Sequence, residues 1–230
     1  HSDHRRQRQM CIRDRSRREA DKLILDGRVT VNNKIIQPGY KVQENEIVKV
    51  DGEKIKSNFK KNIYMAFNKP KGIVCTTDTE KEENNIIDYI NYNKRIFPIG
   101  RLDKLSEGLI LLTNDGDIVN KILRSRYKNE KEYLVTVNKK ISKDFLKKLE
   151  NGVPILNTTT RKCKTTLIND FQFKIILTQG LNRQIRRMCE YFDFRVKKLE
   201  RIRIINIKLD VPLGKWRYLS HEEIKFLKNL

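Results

Sequence analysis

The sequence predicts an α+β chain: a mixed, largely antiparallel sheet with interspersed helices, preceded by a small helix-plus-hairpin module. Three observations predict it. Strand-like stretches outnumber helical ones, and the two do not follow the strict βαβ alternation of a parallel sheet. One apolar run, Leu109–Leu112, is bounded by polar turn residues, as a buried strand should be. A lysine-rich stretch without periodicity, "EKIKSNFKKN" (53–62), separates two differently patterned regions, as a linker does.

The elements follow in order. Residues 1–15, "HSDHRRQRQMCIRDR", lack apolar periodicity, and residues 5–15 back-translate in frame into the end of a transposon-based sequencing adapter. They are read as adapter read-through and kept out of the fold; the other reading of so basic a segment is an RNA-binding arm. "SRREADKLILDG" predicts a short helix with Ser16 as N-cap, Ala20, Leu23 and Ile24 at helical spacing, and Gly27 as its stop. "RVTVN" and "EIVKVDGE" predict strands, with turn chemistry at Asn32-Asn33 and Pro38-Gly39 between them. The expected division is a module over 16–54, a linker over 55–62 and a second domain over 63–230.

In the second domain, "IYMAFNKPKGIVCTT" predicts a strand, a Lys-Pro-Lys-Gly turn and another strand. Residues 84–92 predict a short helix. "GLILLT" predicts a buried strand, and "DGDIVNKILRS" a helix begun by Asp115 or Asp117. "KEYLVTV", "RKCKTTLIN" and "FKIILTQG" predict strands; "SKDFLKKLENG" and "NRQIRRMCEYF" predict helices, the first capped by Ser142 and stopped by Gly152. "RVKKLERIRIINIKL" predicts a long basic β segment, and "SHEEIKFLKNL" opens with a capping box, Ser220 and Glu223.

Composition bounds the function. There are 50 Lys and Arg against 29 Asp and Glu, a formal net charge of +21. Setting aside residues 1–15, with five Arg and two Asp, leaves +18. Such an excess attracts polyanions, above all nucleic acid. No apolar run approaches a membrane span and no signal peptide opens the chain, so it is expected to be cytoplasmic. Cys11, Cys75, Cys163 and Cys189 show no ligand spacing, and the histidines His1, His4 and His221 lie at the two ends. Neither a metal site nor a disulfide framework is expected.

Two stretches carry chemistry. In "GRLDKLSEGLILLTNDG" (100–116), a turn bounded by Gly100 and Gly108 projects Asp103 beside Arg101, with the apolar strand as its anchor. A carboxylate so held serves as a structural ion pair, a general base or a covalent nucleophile. In residues 183–203 stand Arg183, Arg186, Arg187, Arg195, Lys197, Lys198, Arg201 and Arg203, against Glu190, Asp193 and Glu200. Helical spacing puts Arg183, Arg186 and Arg187 on one side as a basic ridge for phosphates. Tyr133, in "KEYLVTV", is either a core tyrosine or a ring that stacks on a base.

"SRREADKLILDGRVTVNNKIIQPGYKV…VKVDG" resembles an S4-type RNA-binding module, lacking the further helix with which that module normally opens. "GRLDKLSEGLILLTNDG", "KEYLVTV" and "GLNRQIRRMCEYF", with "FNKPKGIVCTT", resemble the signatures of the bacterial S4-domain rRNA pseudouridine synthases, over about residues 16–230. "GVPIL" and "KCK" add similarity to the large-subunit branch. The resemblance implies the catalytic fold of that family and isomerisation of a uridine in 23S rRNA, with a tRNA stem-loop as a second substrate it admits. It implies no cofactor, no membrane and a monomer. It further implies Asp103 as catalytic nucleophile or base, Arg101 displacing or holding the target nucleotide, Tyr133 stacking on uracil, and Arg186 paired with Asp103. Asn182, Arg183, Gln184 and Arg187 would contact RNA, joined by Lys197, Lys198, Arg201 and Arg203 of the basic stretch. Ser16, Arg17, Arg18, Lys22 and Arg28 would do the same on the S4-like module. The alternative is a non-catalytic RNA-binding or ribosome-assembly factor that keeps the fold.

Overall fold

The structure, a computed structural model of the chain, describes residues 17–43, 45–55, 62–78, 82–123 and 128–230. Ser16, the adapter-like residues 1–15 and most of the expected linker lie outside the described residues, as do the side chains of Arg17 and Arg18. The chain divides into two compact units, residues 1–61 and 62–230.

In the first unit, helix α1 (Arg17–Leu25) precedes a four-stranded sheet in the order β2-β1-β3-β4. These strands are β1 (Val29–Val31), β2 (Lys34–Ile35), β3 (Val48–Val50) and β4 (Glu53–Lys54). Gly27, with φ +68°, ends α1, and the Arg28 N–H returns to the Leu23 carbonyl at 3.0 Å. Asn32 and Asn33 turn the β1–β2 hairpin, both with positive φ, which Asn tolerates better than other residues with a Cβ. Leu23, Val29, Val31 and Ile36 form the core. The start of the stretch expected as linker is ordered as β4.

The second unit is built on a nine-stranded sheet with the path β11-β12-β8-β13-β7-β5-β15, β6 pairing β7 and β14 pairing β13. In chain order the elements are β5 (Tyr64–Lys69), α2 (Ile86–Ile90), β6 (Phe97–Ile99), β7 (Glu107–Thr113), α3 (Gly116–Leu123) and β8 (Lys131–Val137). They continue as α4 (Lys143–Glu150), β9 (Pro154–Ile155), β10 (Thr158–Thr159), β11 (Lys164–Asn169), β12 (Gln172–Leu177) and α5 (Gln184–Glu190). The last are β13 (Val196–Ile204), β14 (Ile207–Lys208), β15 (Trp216–Tyr218) and α6 (His221–Lys228); β9 and β10 form a separate hairpin. Every pairing in the large sheet is antiparallel except β7 with β13. The expected strand after the Lys-Pro-Lys-Gly turn is reduced to a single bridge, Val74 to Asn85. Asn85 is occupied as the N-cap of α2, accepting from the Ile87 and Asp88 N–H groups.

All seven residues of β7 are buried, because the strand is covered on both faces. Leu109 and Leu111 pack with Ile118 and Ile122 of α3 and Leu227 of α6. Ile110 and Leu112 pack with Met65, Phe67, Ile86 and Leu102. Each such side chain contributes about 1.5–3 kcal/mol by burial, so the strand is a rigid base for the loop before it. A third cluster joins β8, β12 and β13 to α4 and α5, and Tyr133 packs against both it and the Met65–Phe67 cluster. Ser142 caps α4, and Ser220 and Glu223 close the capping box on α6. Among the described residues, no helix is long and apolar enough to cross a membrane.

Candidate active site and RNA-binding surface

The loop from Gly100 to Ser106 delivers Asp103 at the entry to β7. It is pinned on one side by the 69–75 turn: the Gly72 N–H donates to the Lys104 carbonyl at 2.8 Å, and the Leu102 N–H to Cys75 Sγ at 3.4 Å. Leu102, 8% exposed, is the hydrophobic peg beneath. Inside the loop, the Ser106 N–H closes on the Asp103 carbonyl at 3.0 Å. From the other side Arg186 of α5 reaches in, donating to the Leu105 carbonyl at 3.1 Å, Ser106 Oγ at 3.4 Å and the Val196 carbonyl at 3.2 Å.

Arg186 was expected to pair with Asp103 directly. No ion pair within 4.0 Å joins them, because the guanidinium is committed to two carbonyls and a hydroxyl. It acts on Asp103 through its field and by fixing the loop. Burial, with Arg183 nearby, lowers the Arg186 pKa, and Asp103 opposes this. Arg186 is also 7% exposed, so it does not belong to a solvent-facing ridge.

A second cation near Asp103 was missed in the sequence. Lys69, fully buried at the end of β5, donates from Nζ to the Pro70 and Ile73 carbonyls, both at 2.9 Å. Burial depresses its pKa; Cys75, Asp103 and Glu107 counter that, and Arg201 reinforces it. Nothing in "FNKPKG" marks this lysine as internal. The Cys75 thiol beside it is pushed up by burial. Arg101 is exposed, and Tyr133 is half-buried on β8.

Tyr133 rests on Arg201, whose guanidinium carbon lies 6.0 Å from the ring centre. Arg201 was expected to contact RNA. It is 3% exposed instead, donates from Nε to the Leu109 carbonyl at 2.7 Å, and leaves Nη2 buried without a hydrogen-bond partner among the described residues. Gln184 is likewise corrected: it is 4% exposed and its Oε1 accepts from the Leu181 N–H at 3.0 Å, tying down the start of α5. Arg203 is held by Glu132 at 2.8 Å and Glu130 at 3.0 Å. Lys198 is held by the buried Glu107 at 2.6 Å and by Glu200 at 3.4 Å. Burial removes Arg201 and Gln184 from phosphate contact, and ion pairing largely neutralises the other two.

Arg183, Asn182 and Lys197 remain exposed, and Arg187 is half-buried and braced on the Asn182 carbonyl at 3.1 Å. On the first unit Lys22 is exposed, while Arg28 makes a bidentate pair with Asp51 at 2.8 and 2.7 Å. Lys131, also missed, shares a strand face with Tyr133 by simple alternation; burial and Arg201 push its pKa down to about 8. Among the described residues, no group of three or more His, Cys, Asp or Glu could hold a metal.

Residues 63–191 match the RNA pseudouridylate synthase family, and residues 14–48 match the S4 domain. The chain is 53% identical to the dual-specificity RNA pseudouridine synthase RluF of Escherichia coli, over 91% of this chain and 72% of that one. It is 34% identical to the ribosomal large subunit pseudouridine synthase B of Bacillus subtilis, over 94% and 91% of the two chains. A crystal structure of a pseudouridylate synthase superposes with a TM-score of 0.69 at 26% identity, covering 92% of this chain and 94% of that one.

Proposed function

The chain belongs to the RNA pseudouridylate synthase family and isomerises uridine in RNA; from that premise we propose that Asp103 carries the reaction on a uridine of 23S rRNA, with a tRNA stem-loop as a second substrate. The single observation that carries the reading is the loop around Asp103, gripped by the 69–75 turn and by Arg186 while the carboxylate itself has no hydrogen bond or ion pair among the described residues. The description of the Escherichia coli relative as dual-specificity supports two RNA substrates.

The chemistry needs a held carboxylate and a closed pocket. The N1–C1′ bond breaks, the uracil turns in place, and C5 bonds to C1′; C5 loses its proton to solvent and N1 takes one up, so the product is an isomer. No electrons are exchanged with an outside agent, so no cofactor is required. Asp103 acts as nucleophile or base, with the cations of Lys69 and Arg186 within electrostatic reach of it. Tyr133 stacks on the uracil and retains it while it is detached, which is where proximity contributes to the rate. Arg101, exposed at the loop, holds or displaces the target nucleotide, whose extrusion from a stem costs a few kcal/mol. Arg183, Asn182, Arg187 and Lys197 meet phosphates, as do Lys22 and its neighbours on the S4 module. The enzyme works as a cytoplasmic monomer.

Tritium release from 5-³H-uridine-labelled 23S rRNA tests this. Asp103→Asn should abolish release while leaving RNA affinity within a few-fold; release surviving the substitution would remove Asp103 from the chemistry.

A further inference from the structure

The edge of the large sheet carries a feature that the reaction does not use. Among the described residues strand β15 pairs only with β5, setting Trp216 opposite Phe67 and Tyr218 opposite Met65. Phe67 and Met65 are fully buried, yet their partners one strand out are open: Trp216 is 36% and Tyr218 53% exposed. Tyr92 stands edge-on to Trp216 at 5.8 Å, and Trp216 to Tyr218 at 5.3 Å. The Tyr92 and Tyr218 hydroxyls meet at 2.8 Å, so the three rings form one braced cluster. Tyr89, 46% exposed, extends it by packing on Phe67 at 5.7 Å.

The flanks of this cluster are cationic. Lys94 is exposed and within electrostatic reach of the Tyr218 phenol, and Lys215 precedes Trp216 on the surface. Arg217, by contrast, is fully committed to Asp210 and Glu223. Exposed rings bordered by free lysines suit a base with its phosphate, since every nucleobase has a face to stack and every phosphate a charge to neutralise. An apolar protein partner would gain nothing from the two lysines.

We propose that the Tyr92–Trp216–Tyr218 cluster is a stacking platform for an unpaired nucleotide of the bound RNA, with Lys94 and Lys215 on the adjoining phosphates. The platform rests on the RNA-modifying function above and adds a contact outside the catalytic loop. It lies on the face of the sheet that carries Phe67, Ile110 and Leu102, the face that also receives Tyr133. In the sheet order β15 stands two strands from β7, so RNA leaving the target uridine reaches the platform over the elements that cover β7 and β5.

Trp216 is the chain's one tryptophan, which makes its emission a built-in reporter. The full chain is titrated with single-stranded oligouridylate of about twelve nucleotides, a length within usual single-strand site sizes, while labelled-RNA anisotropy follows binding independently. Stacking should quench Trp216 emission in step with binding. Tyr218→Ala and Trp216→Leu should each weaken binding about tenfold, and Trp216→Phe should restore most of it. Lys94→Ala with Lys215→Ala should reduce the salt slope of binding by about 1.4, at about 0.7 per phosphate. Binding without quenching in the unsubstituted chain, or unchanged affinity in Trp216→Leu, would overturn the platform while leaving isomerase activity and the assignment of Asp103 untouched. Emission that changes with protein concentration alone, together with a dimer by light scattering, would assign the cluster to a second copy and overturn it too. Absence of any RNA binding by anisotropy would overturn both readings.

Discussion

Arg201 lies beneath Tyr133, its guanidinium carbon 6.0 Å from the ring centre, with its Nε–H fixed on the Leu109 carbonyl at 2.7 Å. The arrangement ties the orientation of the ring to the backbone of β7, the strand that also carries the Asp103 loop. An unpaired buried donor costs about 1–3 kcal/mol, and Arg201 Nη2 is one, so the cation is kept against a local cost. Arg201→Met should therefore lower kcat about tenfold with little change in KM, the mark of a positioning residue. In a Tyr133→Leu background the same substitution should have almost no further effect, a coupling of about 1–2 kcal/mol in the double-mutant cycle. Additive effects would mean that Arg201 serves the core alone.

The parallel pairing of β7 with β13 depends on Gly108, which stands opposite Arg201 in the register. Its φ is +103°, and a Cβ there would collide with the Arg201 carbonyl oxygen and come within 2.6 Å of its nitrogen. Both obstacles are backbone and cannot rotate away. Gly108→Ala should destabilise the second unit by about 3 kcal/mol or more, through strain and forced separation of the strands. Urea unfolding measures it, and activity should fall in parallel because Asp103 rides on the same strand.

Some of this was legible in the sequence and some was not, for physical reasons. Gly100 and Gly108 around Asp103, followed by a continuous apolar run, read directly as a loop on a buried strand. Ser142, Ser220 and Glu223 announced their helices by capping chemistry that acts within one turn. Arg201 and Gln184 did not announce themselves, because their residue types belong on surfaces and only tertiary contact puts them inside. In β13, register shifts between Val196 and Lys198 and between Arg201 and Arg203 break the alternation that would have sorted inward from outward residues. Arg201 thus turns to Tyr133 while Arg203 turns to Glu132. Lys69 was hidden for a related reason: the carbonyls that satisfy it belong to a turn whose conformation no spacing reveals.

The basic stretch 183–203 divides into free and committed charges, and RNA binding should distinguish them. Lys197 and Arg183 are exposed and without an ion pair among the described residues, whereas Lys198 is 2.6 Å from the buried Glu107. Lys197→Ala and Arg183→Ala should each reduce the salt slope of RNA binding by nearly one and weaken binding to all sequences alike. Lys198→Ala should leave that slope nearly unchanged. It strips the partner from a buried carboxylate, and since the lysine is itself nearly half exposed the cost should be about 1–2 kcal/mol of stability. Anisotropy titrations at several salt concentrations, with urea melts on the same variants, separate the two outcomes.

Lys131 provides a pH test of the site's interior. Burial and the neighbouring Arg201 bring its pKa down to about 8, while in the unfolded chain it titrates near 10.5. Between these values the unfolded chain holds a proton that the folded protein has released, so the Lys131 contribution to stability rises with pH across that window. Below about pH 8 the ammonium is charged in both states, and the folded state carries the cost of burying it. Lys131→Met should remove this contribution between pH 8 and 10.5 and raise stability at pH 7 by up to about 3.5 kcal/mol, at about 1.4 kcal/mol for each pH step between about 8 and 10.5. Urea unfolding of both proteins from pH 7 to 10.5 makes the comparison. The buried thiols, pushed up by burial, lose stability over the same range in both proteins, so the difference between the two curves isolates Lys131. A difference that stays constant across this range would show that Lys131 titrates as a solvated lysine and that the face of β8 bearing Tyr133 is open to water.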